Sequence, residues 1–157
     1  MTCIVGVIEN GVVVMGGDSC GATTSNGWIG GDQMIMQQPK VFTNGELLIG
    51  YTTSWRMGQL LRFALCVQPN PYADDTDYYI HVDVVNAIRK CFADGGFGTV
   101  KEVRTEGGGT FLLGYRGRLF KVQEDFAVLE SECSYDACGG GAAYALGSLH
   151  ATAFVGM

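Results

Sequence analysis

Apolar positions fall into short β-like runs before residue 53 and into helical spacing just after it. Residues 3–8, Cys-Ile-Val-Gly-Val-Ile, and 12–15, Val-Val-Val-Met, flank Glu9-Asn10-Gly11. Asn-Gly between two β-branched runs predicts a tight two-residue hairpin. With Asn10 and Gly11 as the loop, Glu9 faces Val12. Counting outward, Cys3 faces Asp18 and Thr2 faces Ser19. The hairpin therefore carries Thr2 and Asp18 to the same end of one sheet. Residues 20–39 are rich in Gly, Thr, Ser, Asn and Gln, and read as an irregular loop with one short strand near Trp28-Ile29. A second hairpin follows. Pro39-Lys40-Val41-Phe42 begins a strand, Asn44-Gly45 turns the chain, and Glu46 to Thr52 returns it.

Ser54 is a natural helix N-cap. Beyond it, apolar residues at 57, 60, 61, 64, 65 and 67 predict a helix buried on one face. "QPNPYADDTD" interrupts as a solvated loop. Helical spacing resumes through Ile80, Val84, Val85, Ile88 and Phe92, and Gly95 ends it. "FGTVKEVRTEGG" reads as a mobile connection. "GTFLLGYR" and "RLFKVQ" form a third hairpin turning near Gly117, and "FAVLE" adds a strand. The last segment, "CGGGAAYALGSLHATAFVGM", carries a small-residue helix in its latter part. The order is strands, two helices, strands, helix. It predicts two antiparallel sheets with helices packed outside, in one domain spanning 1–157. There is no internal repeat and no linker.

Composition narrows the function classes. The net charge is −6 with only ten Lys and Arg, none of them clustered, which argues against a nucleic-acid partner. Charged residues are 17% of the chain, a low share for an isolated soluble monomer, and point to surface hidden in an assembly. No run reaches the length of a membrane span, and no basic region precedes an apolar stretch at the start, so neither a membrane helix nor a signal peptide is expected. Cys3, Cys20, Cys66, Cys91, Cys133 and Cys138 are irregularly spaced and read as buried free thiols of a reducing cytosol. Cys133 and Cys138 with His81 or His150 match no zinc-ligand spacing, so no metal and no organic cofactor is expected. "GGGAAY" lacks the strand and βαβ context of a dinucleotide-binding loop.

The chemistry lies at the start of the chain. A threonine hydroxyl is a weak nucleophile until a base takes its proton, and an N-terminal residue can use its own α-amine. That amine titrates near 7.7–8.0, so a useful fraction is neutral at physiological pH. Thr2 follows the initiator Met, whose removal before a small residue would expose the amine. Asp18 lies beside Thr2 by the hairpin count. Lys40, at the head of its strand, can supply a cation that Asp18 fixes and aims at Thr2. Backbone N–H groups near Thr53 and Ser54, at a helix N-terminus, are candidate donors to an oxyanion. Singly, each residue has a plainer reading: Thr2 as a product of routine processing, Asp18 as a turn cap, Lys40 as an edge-strand charge.

"MTCIVGVIENGVVVMGGDS", "PKVF", "LLIGYTTSWRMGQLL" and "GGGAAYALGSLHA", in that order, resemble the proteasome β-subunit family of N-terminal nucleophile hydrolases. The likeness is greatest to the bacterial ATP-dependent protease peptidase subunit and its phage-borne relatives. The resemblance implies an α+β fold, the four-layer αββα sandwich. It implies a threonine-type peptidase in which Thr2 is the nucleophile, Asp18 and Lys40 support it, and the amide near Ser54 helps bind the oxyanion. It also implies a cytoplasmic homo-oligomeric ring, peptide or unfolded-protein substrates, and delivery by a separate ATPase. Two departures stand out. Gly139-Gly140-Gly141 replaces the family's Gly-Ser-Gly, whose hydroxyl touches the nucleophile's amine. The chain also stops at Met157, where relatives continue, so the sandwich is expected without its last elements. An inactive scaffold subunit, or a small-amide hydrolase using the same nucleophile, are the alternative readings.

Overall fold

The structure, a computed structural model, describes residues 2–22, 33–97, 99–101, 104–106 and 109–153. The first hairpin pairs β1 (Ile4–Glu9) with β2 (Val12–Gly17), and Glu9 faces Val12 as the loop chemistry requires. Asn10 and Gly11 both take positive φ, 51° and 75°, the pair of conformations that a primed turn needs. A short pair, β3 (Cys20–Ala22) and β4 (Gln33–Ile35), follows. Next come β5 (Val41–Asn44) and β6 (Leu47–Tyr51), turning through Gly45 and Glu46.

Helix α1 (Trp55–Phe63) starts at Ser54, whose hydroxyl accepts from the Met57 N–H at 3.3 Å. The second helical region comprises α2 (Thr76–Tyr78), a π-helical stretch Tyr79–Val84, and α3 (Val85–Asp94) ending at Gly95. Then come β7 (Thr99–Lys101) with β8 (Arg104–Glu106), the hairpin β9 (Phe111–Tyr115) and β10 (Arg118–Val122), β11 (Val128–Glu130), β12 (Tyr135–Cys138) and α4 (Ala142–Ala153).

Two antiparallel sheets carry the fold. One has the order β11-β10-β9-β6-β5 and the other β12-β1-β2. Strand β9 is buried along its whole length, with a face to each neighbouring layer. Leu112 meets Ile4, Leu119 and Cys138 in the core between the sheets, whereas Phe111, Leu113 and Tyr115 join Leu61, Ile80, Ile88 and Phe92 in the core under the helices. Period-two alternation thus supplies both cores from one strand. Between the sheets the approach is close: a Cβ on Gly50 would run into Ile4 and Met15. Helix α4 lies outside the three-stranded sheet, against β12 and β1, and none of its residues is buried. The layers are therefore helix, sheet, sheet, helix, the αββα sandwich expected from the sequence.

The differences from expectation are local. Residues 20–39 contain β3 and β4 rather than loop alone, and the strand expected near Trp28-Ile29 lies outside the described residues. The stretch expected as a mobile connection holds the β7–β8 pair. The turn after β5 uses Gly45-Glu46, one residue later than Asn44-Gly45, because the Asn44 side chain instead donates to the Leu61 and Leu65 carbonyls at 2.9 and 3.0 Å. Helix α1 stops at Phe63, yet Leu65 remains in the core, its N–H donating to the Leu60 carbonyl at 2.8 Å. β12 is unanticipated: Tyr-Asp-Ala-Cys is short and half polar, and only its pairing with β1 makes it a strand. The cysteines are all free, but only Cys91 and Cys138 are buried, while Cys66 and Cys133 are exposed. Burial pushes the Cys138 thiol up to about 12, which leaves it inert at neutral pH.

Candidate active site

The β1–β2 ladder continues past its last strand pair, with the Asp18 N–H donating to the Cys3 carbonyl at 3.2 Å. The Asp18 carboxylate folds back and accepts from the Cys3 N–H at 2.6 Å and the Cys20 N–H at 2.8 Å. It is thereby fixed one residue from Thr2. Lys40 enters from the start of β5 and is only 5% exposed. Its Nζ donates to Thr2 Oγ1 at 3.0 Å, to Asp18 Oδ1 at 2.8 Å and to the Cys20 carbonyl at 2.6 Å. An ammonium has three N–H donors and no acceptor, so these three partners satisfy it completely. The Trp55 ring lies beside it, its centroid 5.5 Å from Nζ. Lys40 is therefore not an edge-strand charge in solvent. It is a buried cation directed at one hydroxyl.

Opposing influences act on Asp18. Burial, the largest single one, pushes its carboxyl up. Hydrogen bonds from Lys40, Cys3 and Cys20, with the Lys40 charge, together push it down further, and it rests below the ordinary value. A carboxyl lowered in the folded state stabilises the fold above its unfolded pKa, about 3.9, and that stabilisation is lost as pH falls through the folded value. The stability gap between the native chain and Asp18→Asn should hold steady above about pH 5 and close below about pH 4. Urea unfolding from pH 7 to 2.5 measures it; a gap unchanged down to pH 2.5 would contradict the hydrogen-bonded carboxylate.

Ser54 occupies a different position from the other three. Its hydroxyl caps α1, and its N–H donates to the Thr52 carbonyl at 2.7 Å across a tight γ-turn. Thr53, at the centre, has φ 69°, a costly conformation for a β-branched residue. Side chains hold it there: Thr52 Oγ1 lies 3.0 Å from Thr53 Oγ1 and donates to the Thr110 carbonyl at 2.6 Å. In this conformation the Ser54 amide already has an acceptor.

The glycine tract meets the site from the other side. The Gly141 N–H donates to the Thr2 carbonyl at 3.1 Å, and Gly139 packs against the same carbonyl. Gly140 is exposed. Sequence reasoning brought Thr2, Asp18 and Lys40 together. It missed the Cys20 carbonyl, which is backbone and carries no residue signal, and the Trp55 ring beside Lys40. His81 and His150 lie elsewhere, against the Asp77 carbonyl and the Tyr135 hydroxyl. Among the described residues no three His, Cys, Asp or Glu side chains gather as a metal site, and no helix is long and apolar enough to cross a membrane.

A layered sandwich with this pairing order is the proteasome-like fold. Among solved structures, the chain is similar to Thiobacillus denitrificans BPH, a bacterial proteasome homologue. In its complex with epoxomicin the TM-score is 0.70 at 17% identity, covering 95% of this chain and 78% of that one. BPH without epoxomicin matches equally, at TM-score 0.70. An Anbu (Gly-1) mutant from Hyphomicrobium sp. strain MC1 matches at TM-score 0.53 and 16% identity, covering 89% of this chain and 61% of that one. No protein-family model and no curated protein matches the sequence. These likenesses establish the fold.

Proposed function

We propose that the chain is a threonine-type peptidase whose nucleophile is Thr2, unmasked by removal of Met1. The observation that carries the reading is the 3.0 Å approach of the buried Lys40 Nζ to Thr2 Oγ1, with Asp18 fixing the ammonium from behind. Lys40 donates to the hydroxyl oxygen and so cannot also take its proton. The base is the free Thr2 amine. It takes the Oγ1 proton while Oγ1 bonds to the peptide carbonyl carbon. The C–N bond then breaks, and the departing amine takes the proton from the Thr2 ammonium. Water, deprotonated by the same amine, attacks the ester. The acyl group leaves as a carboxylic acid, and the proton returns to Oγ1.

The tetrahedral oxyanion needs donors, and the Ser54 N–H can serve once the γ-turn at Thr53 opens. The strain at Thr53, about 1–3 kcal/mol for such a conformation, favours that opening. No metal or organic cofactor enters this scheme. The proposal extends to a cytoplasmic homo-oligomeric ring enclosing the site, fed with peptides or unfolded chains by a separate ATPase.

A second reading, an inactive scaffold subunit, is favoured by two observations. The Ser54 amide is occupied, and Gly140 offers no hydroxyl near the nucleophile. Intact mass with and without epoxomicin separates the two, since an epoxyketone needs both a free amine and a competent hydroxyl. The expected result is a chain lighter by one Met, carrying one epoxomicin per subunit, and no adduct on Thr2→Ala. A processed chain that takes no adduct and cleaves no peptide is the scaffold.

A further inference from the structure

Trp55 joins two parts of the site. It is the first residue of α1, directly after Ser54, and its ring lies 5.5 Å from Lys40 Nζ. The half-buried ring is seated by contacts from two other strands. Tyr51, at the end of β6 and only 4% exposed, meets it edge to face, with ring centroids 6.0 Å apart. Tyr51 rests in turn against Phe42 of β5, at 6.1 Å. The second contact comes from β3, where Gly21 leaves the ring its room. A Cβ there would stand 3.4 Å from Trp55 Cζ2 and would run into the Met36 side chain. Gly21 follows Cys20, whose carbonyl accepts from Lys40. The short strand that receives the ammonium therefore also seats the ring.

We propose that Trp55 is a positioning residue, which keeps the Lys40 ammonium on Thr2 Oγ1 by covering it with an aromatic face. The proposal rests on the peptidase reading and adds a residue to its machinery. Lys40 already has an acceptor for each of its three N–H groups, so the ring contributes no hydrogen bond. It presents instead the negative face of its π-system to a cation that is only 5% exposed, an attraction that needs no N–H. The three acceptors are unequal. Asp18 Oδ1 is charged, the Cys20 carbonyl lies closest at 2.6 Å, and Thr2 Oγ1, at 3.0 Å, is a neutral hydroxyl and the most distant. Hydrogen bonds to charged acceptors are the stronger ones, so water admitted beside Nζ displaces Thr2 first. Loss of the ring thus leaves the ion pair with Asp18 and loosens the contact with the nucleophile. A leucine in its place covers less of the ammonium and offers no negative face.

The experiment follows acylation of Thr2 in the processed full chain by a small β-lactone without side chains, so that contacts between Trp55 and a substrate side chain do not enter. Trp55→Leu should slow acylation about 5- to 30-fold, and Trp55→Phe, which keeps an aromatic face, should stay within about threefold of the native rate. Trp55→Met serves in place of Trp55→Leu if the latter unfolds below the assay temperature. The deciding measurement is a cycle with Lys40→Met. In that background Trp55→Leu should change the rate by less than about twofold, because its effect passes through the ammonium. A ring that only supports the fold slows both backgrounds alike, and that result overturns the proposal while the peptidase reading stands. So does a Trp55→Phe chain as slow as Trp55→Leu. If the native Thr2 takes no electrophile, the peptidase reading fails by itself, and the pairing is judged by urea unfolding of the same four chains. Losses in the folding equilibrium constant that overlap by at least about twofold in the double variant sustain the pairing. Losses that simply multiply overturn it.

Discussion

Lys40→Met should slow acylation of Thr2 by epoxomicin or a β-lactone about 1,000-fold, within the range of a lost positioned proton-transfer or oxyanion partner. Methionine matches the stem and packs against Trp55, so the change removes the charge and three hydrogen bonds and little volume. Without the ammonium, nothing opposes the charge on Oγ1 as its proton leaves. Asp18 is also left as a carboxylate without its counter-ion, keeping only the Cys3 and Cys20 N–H donors.

Breaking one partner of a buried ion pair costs about 3–5 kcal/mol, and less where water reaches the survivor. The Asp18 side chain is 29% exposed and keeps two backbone donors, so about 1–3 kcal/mol is expected here. The double variant Lys40→Met with Asp18→Asn separates activity from stability. It removes the unpaired charge and should recover part of the unfolding midpoint, while acylation stays low. Lys40→Arg should not rescue acylation, because a planar guanidinium cannot reproduce the three-way directions of an ammonium. A Lys40→Met chain that reacts within tenfold of the native rate would remove the geometric basis of the proposed function.

Legibility in the sequence followed the distance over which each feature is determined. Thr2 and Asp18 were placed together by arithmetic across one hairpin, because Asn10-Gly11 sets the register of everything beyond it. Lys40 was nominated by its chemistry and its place at a strand start. That it points inward depends on the second sheet packing behind it, which no local pattern encodes. Strand β9 looked like half of a hairpin. Its service to two cores at once, Leu112 to one and its neighbours to the other, follows only from the layering. Strands β3, β4 and β12 were illegible for a shared reason. Each is three or four residues long, with Gly or polar side chains, and exists because a partner strand supplies the hydrogen bonds. The Ser54 amide shows the converse case. A helix N-terminus does offer unpaired donors, but the residue before it, Thr53 at φ 69°, turns this one back onto the Thr52 carbonyl.

The second large effect concerns the glycine tract, which has a different requirement at each position. Gly139 has φ 97°, a conformation that L-residues adopt only at a cost of about 1–2 kcal/mol or more. A Cβ there would press into the Thr2 carbonyl group and the Thr52 methyl. A flexible side chain could swing away, but the Thr2 carbonyl is held by the strand itself and by the Gly141 N–H at 3.1 Å. Gly139→Ala must therefore lift the end of β12 from the start of β1. With overpacking of about 1–3 kcal/mol added, the expected loss is about 3–5 kcal/mol, which lowers the melting temperature by about 10 °C or more. Gly140→Ala, exposed, should stay within about 0.5 kcal/mol. Gly147→Ala in α4, where a Cβ meets nothing within 4 Å, should stabilise by about 0.5–1 kcal/mol. Three glycine-to-alanine changes within nine positions thus carry opposite or null signs, and thermal unfolding reads all three. Because the carbonyl that Gly139 crowds belongs to the proposed nucleophile, Gly139→Ala should also lose acylation at temperatures where it remains folded. A variant as stable and as reactive as the native chain would mean that the glycine tract does not hold Thr2 in place.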